Sequence, residues 1–226
     1  MDSVDRSGQR LKDLLGEFGI VNPEIHPSLS LCLGSCDITV AEMASAYTAF
    51  ANKGIRTAPV LVSRIEDNKG NILAEFQPRM NEVISENSSY YMVDMLKAVV
   101  NQGTGYRLRY RYGFEGEIAG KTGTTNSNSD GWFVGFVPRL VNACWVGGED
   151  RDIHFNTTAS GQGASTALPI WALYMKKVLA DPTLEYSSNE KFAIPADLPM
   201  KHEEDLLEDA NSEPEESFGG IDALFD

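Results

Sequence analysis

The sequence predicts an α/β domain of the α+β kind: an antiparallel sheet covered by helices. Three observations predict it. Residues 117–147 hold three strand-like runs joined by short turns, which force an antiparallel meander. Helical periodicity runs before this stretch and returns after it. The second and third runs are almost continuously apolar, so both faces of the sheet require cover.

Taken in order, the first element is a helix over about 6–18. Leu11, Leu14, Leu15 and Phe18 recur at helical spacing, and Gly19 stops it. A loop with Pro23 and Pro27 follows, then an extended or looped stretch over 29–35. Thr39 caps the next helix and Glu42 completes a capping box. Its buried stripe is Val40, Met43, Ala44, Tyr47, Phe50 and Ala51, and 52–54 end it. A β-hairpin spans about 60–76, with turn chemistry at 67–71. Another helix covers about 85–101, lined by Tyr91, Met92, Met95, Leu96 and Val99. Its exit loop, Gly103-Thr104-Gly105, follows a helix and does not open one, so it is not a phosphate cradle. Residues 106–117 carry Arg107, Arg109 and Arg111 among tyrosines, suited to a surface or to the rim of an anionic site.

The strand over about 117–125 is the most informative stretch. Apolar residues lead into Gly120-Lys121-Thr122-Gly123-Thr124. Lys121 is a cation on an element otherwise fit for burial, and Gly120 and Gly123 remove bulk beside it. Such a strand lets an extended ligand lie against its backbone, as in strand addition. Lys121 supplies positive charge; Thr122 and Thr124 supply hydroxyls. An anionic, peptide-like substrate fits that surface. The competing reading is an ordinary strand with a solvated lysine. Strands over 131–137 and 140–147 follow, then a helix over about 165–179 with Leu173, Val178 and Leu179 apolar, Trp171 as anchor and Pro169 in its first turn.

The net charge is −14, which argues against a nucleic-acid binder. The charge is uneven. From Asp197 to Asp226 there are eleven acids against Lys201, giving −10 and leaving −4 for residues 1–196. Low hydrophobicity and high charge predict disorder over about 187–226. Cys32 and Cys36 lie close together and Cys144 is isolated. They read as buried free thiols, or as a local disulfide between the first two in an oxidising compartment. Too few further ligands lie nearby for a metal. No run of about 18 apolar residues is present, and the first residues do not form a signal peptide. Either the protein is cytosolic, or the chain is part of something longer that is targeted by upstream sequence.

Lys121-Thr122-Gly123, followed by residues 130–135, resembles the transpeptidase domain of penicillin-binding proteins. The likeness extends to residues 33–44 with Tyr47, Phe50-Ala51-Asn52 and Gly54, which resemble a helix signature of the class A, bifunctional members. Gly103-Thr104-Gly105 and Trp145-Val146-Gly147 also fit, so the resemblance covers about residues 10–180. It implies the fold shared with serine β-lactamases, incomplete here at its N-terminal side. The family's Ser-x-x-Lys nucleophile and Ser-x-Asn elements precede Lys-Thr-Gly, and both would lie upstream of residue 1. Ser188-Asn189-Glu190-Lys191 falls after the last helix, in the wrong order, and is a chance match. Residues 1–186 are therefore expected to be the C-terminal half of a transpeptidase domain, with 187–226 as a tail and Met1 an internal methionine or a truncated gene start.

The resemblance further implies peptidoglycan cross-linking by a D,D-transpeptidase without a cofactor. The ligands would be D-Ala-D-Ala stem peptides and β-lactam antibiotics. The place would be the bacterial cell envelope, with the parent anchored in the cytoplasmic membrane. Lys121 would support proton transfer and attract the substrate carboxylate. Thr122 and Thr124 would contact that carboxylate, the Thr124 N–H would be an oxyanion donor, and Gly123 would keep the strand open. The acidic tail would be free to meet cell-wall assembly proteins. Alternatives are a serine β-lactamase or D,D-carboxypeptidase relative, and a non-catalytic interaction module. Without the nucleophile, the fragment is expected to be inactive alone and to fold poorly.

Overall fold

The structure, a computed structural model, describes residues 3–198. The chain divides into two units, Met1–Pro195 and Ala196–Asp226. Most of the acidic tail, including its expected disorder, lies outside the described residues.

Helix α1 spans Ser3–Glu17 and is followed by a turn at Gly19, whose φ is +83°. A Cβ there would meet the Arg56 guanidinium, the movable end of a long side chain, so it is the left-handed φ that calls for glycine. Leu11, Leu15 and Phe18 pack around Ile20, Ile25, Leu31 and Ala46, whereas Leu14 is exposed. Residues expected to be extended or looped instead form a short 3₁₀ helix, Leu29–Leu33, closed by Gly34 in the left-handed region.

Helix α2, Val40–Ala51, begins at the expected capping box. The Glu42 N–H donates to Thr39 Oγ1 at 3.2 Å, and the Thr39 N–H donates to the Glu42 carboxylate at 2.9 Å. Its most buried face is Ser45, Ala46 and Ala49, not the larger residues of the expected stripe. Small side chains let the helix approach its neighbours closely, while Tyr47 and Phe50 fan out and pack edge-on. Val40 is exposed.

Strand β1, Ile55–Thr57, follows. The expected hairpin is present but shorter: β2 is Arg64–Glu66 and β3 is Ile72–Glu75. Asp67 fixes its turn by accepting from the N–H groups of Lys69 and Asn71. Pro59 and Pro78 flank the hairpin, and neither can donate to a longer ladder. Strand β4, Met80–Glu82, has no clear strand signal in the sequence; it pairs antiparallel with β1, Ile55 opposite Glu82.

Helix α3, Glu86–Gln102, is capped by Ser85. It buries Ser89, Val93, Leu96 and Val100, so only Leu96 of the expected face is fully buried and Met95 is exposed. The cause is Ser89, whose hydroxyl lies within hydrogen-bonding reach of the Ala49 and Phe50 carbonyls at the end of α2. A serine that packs inward hides the true face from a hydrophobicity pattern. A four-residue helix α4, Arg107–Tyr110, then leads to the sheet.

The sheet is β5 (Ala119–Thr124), β6 (Asp130–Val137) and β7 (Leu140–Gly147), in the spatial order β5-β6-β7, all antiparallel. After the one-turn helix α5, Thr158–Gly161, helix α6, Ala167–Ala180, covers one face. Trp171 of α6 is fully buried against Phe133 and donates to the Gly135 carbonyl at 3.0 Å. The inner side of α6 is Ala167, Leu168, Trp171, Ala172, Met175 and Val178; Leu173, expected inward, is 59% exposed. Helices α2 and α3 cover the other face, where Phe136 meets Val93, Leu96 and Tyr47. Both faces are thus covered, as the apolar runs require. Among the described residues the three-stranded sheet has no further strand at either outer edge, β5 or β7, in keeping with the expected incompleteness.

Residues 187–192 correct the expected onset of disorder. The Phe192 ring is buried against Phe136, and its N–H donates to the Glu117 carboxylate at 2.7 Å. Glu190 pairs with Arg139 at the β6–β7 turn. One aromatic and two ion-pairing side chains hold a segment whose average composition reads as solvated. All three cysteines are free; Cys144 is buried and Cys36 half-buried, but Cys32 is exposed, against the expectation of burial.

Candidate functional site

Strand β5 is the edge of the sheet, with β6 on one side only. Its register with β6 places Gly120 opposite Gly135, Lys121 opposite Val134 and Gly123 opposite Trp132. Strand side chains alternate between faces. Thr122 and Thr124 therefore share the α6 side of the strand, while Lys121 and Gly123 share the other. Backbone groups alternate in the same way between partner and open edge. The Thr125 N–H points inward, donating to the Asp130 carbonyl. Thr124 therefore presents its N–H and carbonyl to the open edge, as does Thr122. The Lys121 ammonium confirms this direction by donating to the Thr122 carbonyl at 2.9 Å. Lys121 is exposed, so its charge stands at the edge where a ligand strand would lie.

The two hydroxyls each have a partner from elsewhere in the chain. Thr122 Oγ1 lies 2.7 Å from Thr104 Oγ1, on the exit loop of α3. Thr124 Oγ1 accepts from the Gly163 N–H at 3.1 Å, on the loop between α5 and α6. Gly163 carried no signal in the sequence. Thr104 lay within the recognised Gly-Thr-Gly run, but nothing in its spacing pointed to Thr122. The strand is thus a composite: a charge from Lys121, two buttressed hydroxyls, and an outward amide at Thr124. Such a set can hold a carboxylate and donate to a developing oxyanion.

The arginines are placed differently. Arg107 donates to the Ala164 carbonyl and Ser165 Oγ, and Arg109 to Asn101 and to the Phe114 and Gly116 carbonyls. Both work as clips between loops and do not form the rim of an anionic site. Burial pushes the Arg109 guanidinium below its ordinary value. The segment with Ser188 packs beside Gly116, before β5 begins, and Glu190 is engaged by Arg139. Thr124 is at the other end of the strand, so the Ser-x-x-Lys match stays apart from it. A groove of about 680 Å³ also lies elsewhere, between α2 and the β6–β7 turn, lined in part by Ala44, Thr48, Pro138 and Val141. It lies toward the β7 side of the sheet and is not formed by β5. Among the described residues no cluster of His, Cys, Asp and Glu could hold a metal, and no helix is long and apolar enough to cross a membrane.

Residues 18–167 match the family model for the penicillin binding protein transpeptidase domain. The chain is 39% identical over 171 residues to penicillin-binding protein 1A of Aquifex aeolicus, covering 76% of this chain and 22% of that protein. It therefore spans about a fifth of the length of such curated relatives. Among solved structures, penicillin-binding protein 1A from Haemophilus influenzae matches with a TM-score of 0.72 and 26% identity, over 86% of this chain and 33% of that one. The PonA1 protein from Mycobacterium tuberculosis, in complex with penicillin V, matches with a TM-score of 0.67 and 25% identity, over 84% and 54% of the two chains. Sequence, fold and the Lys-Thr-Gly edge strand agree, and the chain belongs to the penicillin binding protein transpeptidase domain family.

Proposed function

We propose that the chain forms the carboxylate-binding and oxyanion-stabilising wall of a serine D,D-transpeptidase that cross-links peptidoglycan, as part of a longer, bifunctional protein of the cell envelope. The observation that carries this reading is the open edge of β5, where the outward Thr124 amide stands beside the exposed Lys121. A peptide ending in D-Ala-D-Ala can lie along that edge as an added strand. Its terminal carboxylate meets Lys121 and the hydroxyls of Thr122 and Thr124.

The serine comes from a Ser-x-x-Lys segment outside these residues. Its oxygen attacks the amide carbonyl carbon, and the carbonyl oxygen takes up negative charge. The Thr124 N–H donates to that oxygen, which is worth about 10²–10³ in turnover in comparable sites. The C–N bond breaks, and D-alanine leaves with a proton on its nitrogen. The amine of a neighbouring stem then attacks the ester, restores the serine and closes the cross-link. Lys121 favours the anionic states near the edge and supports proton transfer. β-Lactams enter by the same route, their ring amide opening onto the serine. The complex of a solved neighbour with penicillin V supports this ligand class.

The parent would be anchored in the cytoplasmic membrane with this domain outside, and the acidic tail would be available to cell-wall assembly proteins. The test uses the parent carrying the Ser-x-x-Lys segment. Lys121→Ala should slow acylation by both a carboxylate-bearing penicillin and its methyl ester, but the former by about tenfold more, the excess being the carboxylate contact. Equal slowing of both compounds would refute the carboxylate role. Removing 196–226 should abolish capture of assembly proteins but spare penicillin labelling; unchanged capture would dismiss the tail's role.

A further inference from the structure

The Thr124 hydroxyl is held from behind. The Gly163 N–H donates to Thr124 Oγ1 at 3.1 Å. Gly163 is itself wedged against the β5–β6 ladder. A Cβ on it would lie 2.2 Å from the Trp132 carbonyl oxygen and 2.5 Å from that of Gly123. From the other side, a Cβ on Gly131 would meet the Gly163 Cα at 3.0 Å. The Gly163 carbonyl accepts from the Leu168 N–H at 2.9 Å, tying it to the first turn of α6. The amide is therefore a fixed donor, set by backbone packing.

A hydroxyl has one proton and two acceptor lone pairs, whereas an ionised carboxylate only accepts. A threonine serves a carboxylate only when its proton is turned toward it. Occupying a lone pair with a fixed N–H biases the proton to the other side. We propose that Gly163 is a positioning residue for substrate recognition: its amide holds Thr124 Oγ1 as an acceptor, so that the hydroxyl proton is presented to the ligand carboxylate at the β5 edge. The inference rests on the reading of β5 as a carboxylate-binding wall. It adds a residue from the α5–α6 loop that acts only through Thr124.

A double-mutant cycle in the parent protein tests it, read as the rate constant of acylation by benzylpenicillin and by its methyl ester. Thr124→Val removes the hydroxyl and should slow benzylpenicillin about tenfold or more, while Thr124→Ser should largely retain the rate. Gly163→Ala, which must shift the β5–β6 backbone, should slow both compounds but benzylpenicillin several-fold more than the ester. In the Thr124→Val background, that excess should fall below about twofold. If Thr124→Val has no effect, the carboxylate reading of β5 fails. If Thr124→Val slows acylation but Gly163→Ala multiplies that loss in full, or slows the ester equally, the positioning role of Gly163 fails and that reading stands. Should Gly163→Ala not fold, amide hydrogen exchange at Gly163 decides. Protection should fall in Thr124→Val and persist in Thr124→Ser; equal protection in both would overturn the proposal.

Discussion

At the scale of single residues, the two glycines around Lys121 do different work. A Cβ on Gly120 would meet the Val134 carbonyl oxygen at 2.8 Å and the Phe133 ring at 3.0 Å. Gly120→Ala should therefore destabilise the protein by about 1–3 kcal/mol, read as a lower urea midpoint. A Cβ on Gly123 would meet the Trp132 side chain, most tightly its Cβ at 3.1 Å, a contact that a slight shift relieves. It would, however, share the strand face of Lys121. Gly123→Ala should keep nearly the parental urea midpoint while reducing penicillin labelling in the parent protein. Equal destabilisation by both substitutions would contradict this division. Lys121, Thr122, Gly123 and Thr124 were legible as a site because a cation and hydroxyls on a glycine-flanked strand are chemically unusual. Their supports were not. Gly163 acts through its backbone N–H, which has no side-chain signature, and the Thr104–Thr122 contact joins residues 18 positions apart.

At the scale of elements, the meander and the helices were legible because their periods are strong and their turns short. What failed was which face of a helix turns inward. Ser45 and Ser89 are buried because their hydroxyls reach backbone oxygens: Ser45 donates to the Thr57 carbonyl, and Ser89 meets those of Ala49 and Phe50. Hydrophobic patterning places such residues outside. The segment ending at Phe192 failed for a related reason: a single ring, a backbone N–H and the Glu190–Arg139 ion pair anchor it, and its average composition does not show them.

That anchor has a pH signature. Desolvation raises the Glu117 carboxyl, but the Phe192 N–H and the Lys97 ammonium, 3.1 Å away, outweigh it and hold it below its ordinary 4.5. A carboxyl depressed in the folded state contributes stability above its unfolded value, and this is lost as pH falls through the folded one. Urea midpoints measured downward from pH 5 should therefore fall more steeply in the unsubstituted protein than in Glu117→Gln. Parallel curves would show that the 187–192 segment does not depend on this charge.

At the scale of the whole molecule, the sheet has cover on both faces but, among the described residues, no strand beyond either outer edge. The β5 edge is where the proposed substrate lies. The β7 edge and the groove beside α2 are where further parts of a larger domain can add, consistent with a chain that spans 22% of a relative. Exposed apolar side chains such as Leu173, Tyr174 and Trp145 fit a surface with further protein to meet. In the proposed function, catalysis is therefore shared between this chain and a nucleophile-bearing part. Fluorescent penicillin tests this most directly, with the chain incubated alone and with that complementary part before a denaturing gel. No covalent band is expected on this chain in either lane, and a band on the complementary part should strengthen when this chain is present. A labelled band at the size of this chain would contradict it.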